Sequence, residues 1–166
     1  MDFSVVQGDI AEQRADVLVN AAGTSLRMGS GVAGALRRRA GEAINEAAIE
    51  QGPVELGDVA VTDAYDLDAE YVVHAAAMPH YGDGRATAES IRSATRNALE
   101  AAADLDAESV VIPALGCGVA GFDLRDGAEV ICEEIRAFDS ETVTDARFIT
   151  YTDDEYEVVR RVTERA

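Results

Sequence analysis

Two glycine-dense loops, each directly after a short apolar run, most constrain how this chain can fold. Residues 17–20 (VLVN) lead into glycines at 23, 29, 31 and 34, and residues 110–112 (VVI) lead into glycines at 116, 118 and 121. Glycine has no Cβ, so backbone N–H groups in such loops can approach a ligand closely. A helical pattern follows each loop, at about residues 32–40 and 124–138, and a helix N-terminus favours bound anions. The pair suits a ligand with two phosphates, although either loop alone is equally consistent with an ordinary tight turn.

Strand-like and helix-like segments alternate along the whole chain. The pattern predicts strands at 3–7, 17–20, 58–62, 71–75, 110–112 and 147–151, and helices at 32–50 with a break near Gly41, 89–103, 124–138 and 155–165. This alternation indicates an α/β fold, a three-layer α/β/α sandwich on a largely parallel sheet, with residues 1–166 forming one domain. Ligands of such sheets bind at the carboxyl ends of the strands, where both loops lie.

The charge balance is strongly acidic. The chain carries 32 acidic residues against 14 basic ones, a net charge of −18, and every basic residue is an arginine. A hydrophobic content of 48% and clear apolar periodicity argue against disorder. The composition is typical of a halophilic cytoplasm, because at ~1 M salt the Debye length is about 3 Å and dense carboxylates barely repel. Direct nucleic-acid binding is not expected, since no basic stripe is present to neutralise phosphates.

Other features of the sequence indicate a cytoplasmic domain without a metal or cofactor. No 18-residue apolar run predicts a membrane span, and no basic segment precedes the first strand pattern as a secretory signal would require. The two cysteines, Cys117 and Cys132, give no disulfide framework. The two histidines and two cysteines also lack the spacing of a zinc site.

Three polar or aromatic residues lie at predicted strand ends and are candidate ligand contacts. Asp9 follows the first strand and can accept a hydrogen bond from an exocyclic amine such as that of adenine, or simply cap a helix. Asn20 ends the second predicted strand, where its amide can fix a ribose hydroxyl or hold the loop backbone. Tyr151 ends the last predicted strand, where it can stack on an aromatic base or pack against the protein.

The two histidines and the loop cysteine are the candidate catalytic groups of the chain. His74 lies in an apolar strand pattern and is predicted to be a buried core histidine. His80 lies in a polar loop, as a surface residue or a weak candidate general base. Cys117 lies in the second glycine loop near a helix N-terminus, which would lower the pKa of its thiol, but no base partner is evident. We therefore predict a small loop-lining role for Cys117, with a thiol enzyme as an alternative, and a core position for Cys132.

The arginine triplet at positions 37–39 is the densest basic segment of the chain. Successive residues of a helix are rotated by about 100°, so the three side chains cannot form a single patch. The triplet is predicted to be a solvated helix face.

Taken together, these segments resemble the macrodomain family, which binds ADP-ribose. The resemblance covers nearly the whole chain. It rests on segments 7–10 (QGDI), 19–22 (VNAA), 29–32 (GSGV), 39–41 (RAG), 57–62 (GDVAVT), 73–75 (VHA) and 113–122 (PALGCGVAGF), in that order. It implies an α/β/α sandwich on a mixed sheet and a protein of the ADP-ribose 1″-phosphate processing type.

The resemblance also implies a set of ligand contacts. Asp9 would bind the adenine amine with help from the Ile10 backbone, and Tyr151 would stack on adenine. The remaining contacts would line the diphosphate and the distal ribose: Asn20, Gly29, Ser30, Gly31, Val32, Gly116, Cys117, Gly118, Val119, Ala120, Gly121 and Phe122.

Two positions depart from the pattern of hydrolytic members of that family. Those members commonly read Asn-Ala-Ala-Asn and Gly-Gly-Gly-Val-Asp-Gly, whereas this chain has Gly23 and Ala33 at the second asparagine and the aspartate. The resemblance therefore implies a module that binds ADP-ribose, free or attached to protein. Hydrolysis of ADP-ribose derivatives is the alternative, with His80 as the substitute catalytic group.

Overall fold

The computed structural model describes residues 1–80, 84–118 and 121–165. Six strands are present: β1 (Asp2–Gln7), β2 (Val17–Gly23), β3 (Val59–Asp63), β4 (Tyr71–Met78), β5 (Ser109–Ile112) and β6 (Asp145–Thr150). Five α-helices accompany them: α1 (Gly31–Ala40), α2 (Glu42–Gln51), α3 (Ala88–Asp104), α4 (Leu124–Ala137) and α5 (Asp153–Glu164). A short 3-10 turn covers Ile10–Glu12.

The strands form one mixed sheet in the order β1-β6-β5-β2-β4-β3. The first five strands of that order run parallel, and β3 is antiparallel to β4 at the edge. Because the parallel strands point the same way, β1, β2, β4, β5 and β6 all release their following loops at one edge of the sheet. The predicted largely parallel sheet is therefore confirmed.

Helices cover both faces of the sheet. The larger core cluster lies between one face and helices α3, α4 and α5, and includes the apolar stripes predicted for α3 and α4 together with Cys132. The smaller cluster lies on the other face, where Leu36 of α1 and Ile44 of α2 pack on Leu18 of β2. This arrangement confirms the three-layer α/β/α sandwich, and the predicted break at Gly41 separates α1 from α2.

A chain of polar side chains crosses the α1/α2 face of the sheet. Asn20, His74 and Thr62 are buried on neighbouring strands β2, β4 and β3. The amide Nδ2 of Asn20 donates to Nδ1 of His74 over 3.0 Å. With its proton on Nε2, His74 donates to the hydroxyl of Thr62 over 2.9 Å. His74 is thus the hydrogen-bonded core histidine that the sequence predicted.

This polar chain corrects the prediction for Asn20. Strand β2 continues to Gly23, so Asn20 lies inside the strand instead of at its end. Its side chain is fully buried and its Nδ2 donates to His74, while within the described residues its Oδ1 receives no hydrogen bond.

Acidification should destabilise the fold through His74. Burial lowers the pKa of the His74 imidazole to about 4 from an unperturbed 6.5. Between these values the unfolded chain binds the proton that the folded chain excludes, so stability is full above pH 6.5 and falls as the pH decreases toward 4. At ~1.4 kcal/mol per pKa unit, His74 should lower the free energy of unfolding by about 2 kcal/mol between pH 7 and pH 5.

Urea unfolding at both pH values checks this, with His74→Gln as the comparison. The variant should be less stable at pH 7, but its free energy of unfolding should not show the decrease between pH 7 and pH 5 that comes from His74. An equal decrease in both proteins would show that the carboxylates, not His74, cause the acid sensitivity.

Candidate functional site

The loops that follow the five parallel strands meet at the carboxyl edge of the sheet. The backbone N–H of Gly8, after β1, donates to the carbonyl of Thr150 at the end of β6 over 2.9 Å. The side chain of Gln7 donates to Asp153 of α5 over 2.7 Å. These bonds hold Asp9 and Tyr151 on adjacent strand ends, so two of the predicted contact residues lie close together.

Asp9 has one carboxylate oxygen engaged and one available. Its Oδ1 accepts the backbone N–H of Ala11 over 2.9 Å and so caps the 3-10 turn. Within the described part of the chain, Oδ2 receives no hydrogen bond, and Asp9 is half-buried. The carboxylate can therefore cap the turn and still accept a hydrogen bond from a ligand amine.

Tyr151 and Ile10 flank Asp9 in different ways. Tyr151 is the first residue after β6 and is 72% exposed, so its ring is open to stacking. The side chain of Ile10 is buried in the smaller core cluster. Only the backbone of Ile10 can face a ligand, as the resemblance implied.

The first glycine loop leads into an uncapped helix N-terminus. Ser30 precedes α1 in an extended conformation, and its side chain makes no capping hydrogen bond. By contrast, side chains of Thr87, Asp123 and Thr152 cap α3, α4 and α5. A Cβ at Gly29 or Gly31 would meet no atom within 4 Å, so the loop is open on its outer side. Uncapped N–H groups beside open space form an anion-binding arrangement.

The second glycine loop is tightly folded on its inner side. Gly116 has φ +76°, and a Cβ there would lie 2.7 Å from Ile91 Cγ1 and 2.8 Å from Ala86 Cβ. Gly118 has φ +77° with open space around it. The N–H of Phe122 donates to the carbonyl of Gly116 over 3.2 Å, which closes the loop, and Phe122 packs against the larger core cluster. Gly121 also has a positive φ, while Val119 and Ala120 lie outside the described residues.

Gly23 lies against the loop that carries His80. A Cβ at Gly23 would be 3.1 Å from the carbonyl oxygen of Pro79 and 3.7 Å from the Cα of His80. The backbone N–H of His80 donates to the hydroxyl of Thr24 over 3.0 Å, which fixes this approach. His80 itself is exposed. The structure thus brings together two positions, 23 and 80, that are distant in sequence.

Ala33 and Val32 lie in the first turn of α1. Ala33 is buried and belongs with Val32 to the smaller core cluster, where Val32 is half-buried. The sequence position of the missing aspartate is therefore a packed position in this protein.

Cys117 does not have a lowered pKa. Burial, together with the negative charges of Asp123 and Glu155, raises the pKa of its thiol to about 11. The expected effect of the helix N-terminus is thus outweighed, and the thiol stays protonated at neutral pH. This argues against a thiol enzyme and supports the predicted loop-lining role.

Arg38 and Arg39 are exposed and Arg37 is half-buried, so the triplet is largely the solvated helix face that the sequence predicted. Arg37 pairs with Glu42 and donates to the carbonyl of Met28 over 2.8 Å. Arg38 and Arg39 instead line a groove of about 270 Å³ together with Asp9, Ala11, Glu12 and Ala35. The i, i+3 and i+4 spacing of Ala35, Arg38 and Arg39 was the signal for this shared face, and the sequence interpretation missed it.

No helix among residues 1–80, 84–118 and 121–165 has both the length and the hydropathy needed to cross a membrane. In the same part of the chain, no three His, Cys, Asp or Glu side chains are grouped as metal ligands.

Comparison with known proteins defines the class. The family model of the Macro domain matches residues 19–131. A Macro domain-containing protein of Streptomyces griseus is 35% identical over 153 residues, covering 89% of this chain and 86% of the relative. An uncharacterised protein of Saccharolobus solfataricus is 34% identical, covering 98% and 92%. The chain therefore belongs to the Macro domain family.

Solved structures of macrodomains have the same fold. The Oceanobacillus iheyensis macrodomain with ADP superposes with a TM-score of 0.86 at 25% identity, covering 97% of this chain and 89% of that one. The Trypanosoma brucei macrodomain in complex with ADP-ribose also gives 0.86 at 25% identity, covering 96% and 68%.

Two glycines of the second loop should respond differently to alanine. Gly116→Ala combines a left-handed backbone with overlap onto Ile91 and Ala86, so it should cost about 3 kcal/mol of unfolding free energy. Gly118→Ala has nearly the same φ, but its Cβ would have no atom within 4 Å. It should therefore cost only the strain of a left-handed backbone, about 1 kcal/mol. Urea unfolding of both variants measures the difference. Equal costs would contradict the close packing behind Gly116.

Proposed function

We propose that this Macro domain binds ADP-ribose, free or attached to protein, at the carboxyl edge of its sheet. The observation that carries the proposal is the joint presence of an available Asp9 oxygen and an uncapped, glycine-lined N-terminus of α1 on that edge. The two macrodomains compared above were solved with ADP and with ADP-ribose, which supports the same ligand class here.

The proposed contacts follow the chemistry of each group. Asp9 Oδ2 accepts the exocyclic amine of adenine, and the exposed ring of Tyr151 stacks on the base. The N–H groups of Gly29, Ser30, Gly31 and Val32 bind the diphosphate at the positive end of the α1 dipole. The described residues of the second loop, Gly116, Cys117, Gly118 and Gly121, cover the diphosphate from the opposite side, with Phe122 next to the distal ribose.

Asp9→Asn separates ligand binding from capping. Asparagine caps helical turns about as well as aspartate, so the turn at Ile10–Glu12 should persist. It loses the charge, however, and because its single amide oxygen caps the turn, its NH2 donor group faces the adenine amine. We expect ADP-ribose affinity to fall by about 1–3 kcal/mol, the range for an unpaired buried donor.

Isothermal titration with ADP-ribose in high salt makes this measurement. Asp123→Asn is the matched control, because Asp123 also caps a helix through its carboxylate, at the start of α4. No ADP-ribose binding by the folded, unmodified protein would refute the proposed function itself.

A second function is hydrolysis of an ADP-ribose derivative, favoured by the position of His80 beside Gly23. Candidate substrates are ADP-ribose 1″-phosphate, O-acetyl-ADP-ribose and mono-ADP-ribosylated protein. Hydrolysis needs a positioned water and a group to activate it, and neither Gly23 nor Ala33 supplies such a group. The backbone of His80 lies on the loop next to Gly23, and an imidazole is a side chain that can act as a general base.

We expect little hydrolysis of protein-linked ADP-ribose and a faster reaction with ADP-ribose 1″-phosphate, whose leaving group demands less of the protein. His80→Ala should abolish this turnover while ADP-ribose affinity is kept. In a protein that keeps His80, the double substitution Gly23→Asn with Ala33→Asp should raise the rate of hydrolysis. The new side chain at position 23 requires the Pro79 carbonyl to move.

Product analysis after incubation with both substrates tests this, with melting temperatures to confirm that each variant folds. An unmodified protein that hydrolyses protein-linked ADP-ribose as fast as the double variant would show that positions 23 and 33 are wrongly assigned. Unchanged turnover in His80→Ala would remove His80 as the catalytic group.

We also propose a halophilic, cytoplasmic setting for this activity. The support is the net charge of −18 with arginine as its only basic residue type. Screening in molar salt would relieve both the repulsion among surface carboxylates and their repulsion of an anionic ligand.

A further inference from the structure

We infer that Arg38 is a phosphate-binding residue of the ADP-ribose site, a positively charged side chain placed between Asp9 and the first glycine loop. The inference rests on the proposed function and names an additional specificity-determining contact within it. With Arg38 in the site, the diphosphate contributes more to ligand affinity than it would if only backbone N–H groups bound it.

The side chain of Arg38 lies along α1 toward the Gly29–Gly31 loop. Its Nη1 is 3.3 Å from the position that a Cβ of Gly34 would occupy, and the carbonyl oxygen of Gly29 is 2.9 Å from that same position. Helical side chains lean toward the N-terminus of their helix, which agrees with this direction. Any side chain at Gly34 would collide with Gly29, so glycine there allows the loop and the guanidinium to approach each other.

The same guanidinium borders the groove that contains Asp9. That groove has a volume of about 270 Å³ and is lined on the α1 side by Ala35, Arg38 and Arg39. A ligand that reaches from Asp9 to the uncapped N-terminus of α1 therefore passes beside Arg38. In ADP-ribose the adenine amine and the diphosphate lie on opposite sides of the ribose that joins them. A ligand with its amine at Asp9 therefore extends its diphosphate toward Arg38 and the N-terminus of α1.

Arg38 is also available for a ligand. Within the described residues, Arg38 and Arg39 form no ion pair within 4 Å, whereas Arg37 pairs with Glu42 and Arg92 and Arg96 both pair with Glu134. A protein with a net charge of −18 repels an anionic ligand at long range, so an unpaired guanidinium at the site has a large local effect. Guanidinium groups also match phosphate oxygens in geometry and bind them by charge-assisted hydrogen bonds.

Interaction with the α1 dipole does not account for this arrangement by itself. Arg37, Arg38 and Arg39 all lie in the last turn of α1, where a positive charge is favourable. The dipole does not require Arg38 to extend back toward the glycine loop or to border the Asp9 groove.

The test is titration of Arg38→Gln, Arg38→Lys and Arg165→Gln with ADP-ribose, ADP and adenosine at moderate salt. Arg165, at the end of α5, controls for the change in net charge. Arg38→Gln should weaken ADP-ribose and ADP about 10-fold, the effect of one lost charge-assisted hydrogen bond, and should leave adenosine unchanged. Arg38→Lys should recover part of the loss, and Arg165→Gln should change affinity less than about 3-fold.

Two results would overturn the inference while leaving the proposed function intact. One is ADP-ribose binding that is unaffected by Arg38→Gln. The other is an equal loss in Arg38→Gln and Arg165→Gln, which would show a general effect of net charge. Absence of ADP-ribose binding in the unmodified protein would instead refute the proposed function together with the inference. Melting temperatures confirm that each variant is folded.

Discussion

Parallel pairing of five strands is the constraint on which the rest of this structure depends. It releases the loops after β1, β2, β4, β5 and β6 at one edge of the sheet. Residues separated by more than 140 positions in sequence, such as Asp9 and Tyr151, are brought together for this reason alone. The antiparallel β3 lies at the side of the sheet, and the loop that follows it leaves from the opposite edge.

The acidity of the chain limits how such an edge can bind a diphosphate. A site built from many arginines would attract the protein's own carboxylates, and several arginines are indeed neutralised in this way, including Arg37 and Arg147. Backbone N–H groups at a helix N-terminus are positive without carrying a full charge, so surface carboxylates do not compete strongly for them. The glycine loops thus offer anion binding in a form that a highly acidic surface does not cancel.

The sequence predicted the order of elements because apolar periodicity is a local property. All six strands and the predicted helical segments were found, with differences of a few residues at their ends and the break at Gly41 in place. Contacts between distant segments were harder to foresee. Asn20 lies inside a strand and bonds His74 on the neighbouring strand β4, a partner 54 positions away that no local pattern indicates. The approach of His80 to Gly23 likewise depends on tertiary packing. The raised pKa of the Cys117 thiol has the same origin, since burial and distant carboxylates outweigh the nearby helix.

The hydrogen-bonded chain of Asn20, His74 and Thr62 bears on how the edge of the sheet is protected from pairing with another molecule. Strand β3 pairs with the sheet only through β4, and the imidazole of His74 joins these two strands by side-chain contact with Thr62. A proton on this imidazole would place an unpaired charge beneath the β3–β4 ladder. If β3 then separated, the backbone of β4 would present unsatisfied N–H and carbonyl groups to the solvent, beside the apolar segment from Val72 to Ala77. Such a strand edge is a template for pairing with another chain. In the folded protein β3 covers that edge, and the bond between neutral His74 and Thr62 helps to hold β3 in place.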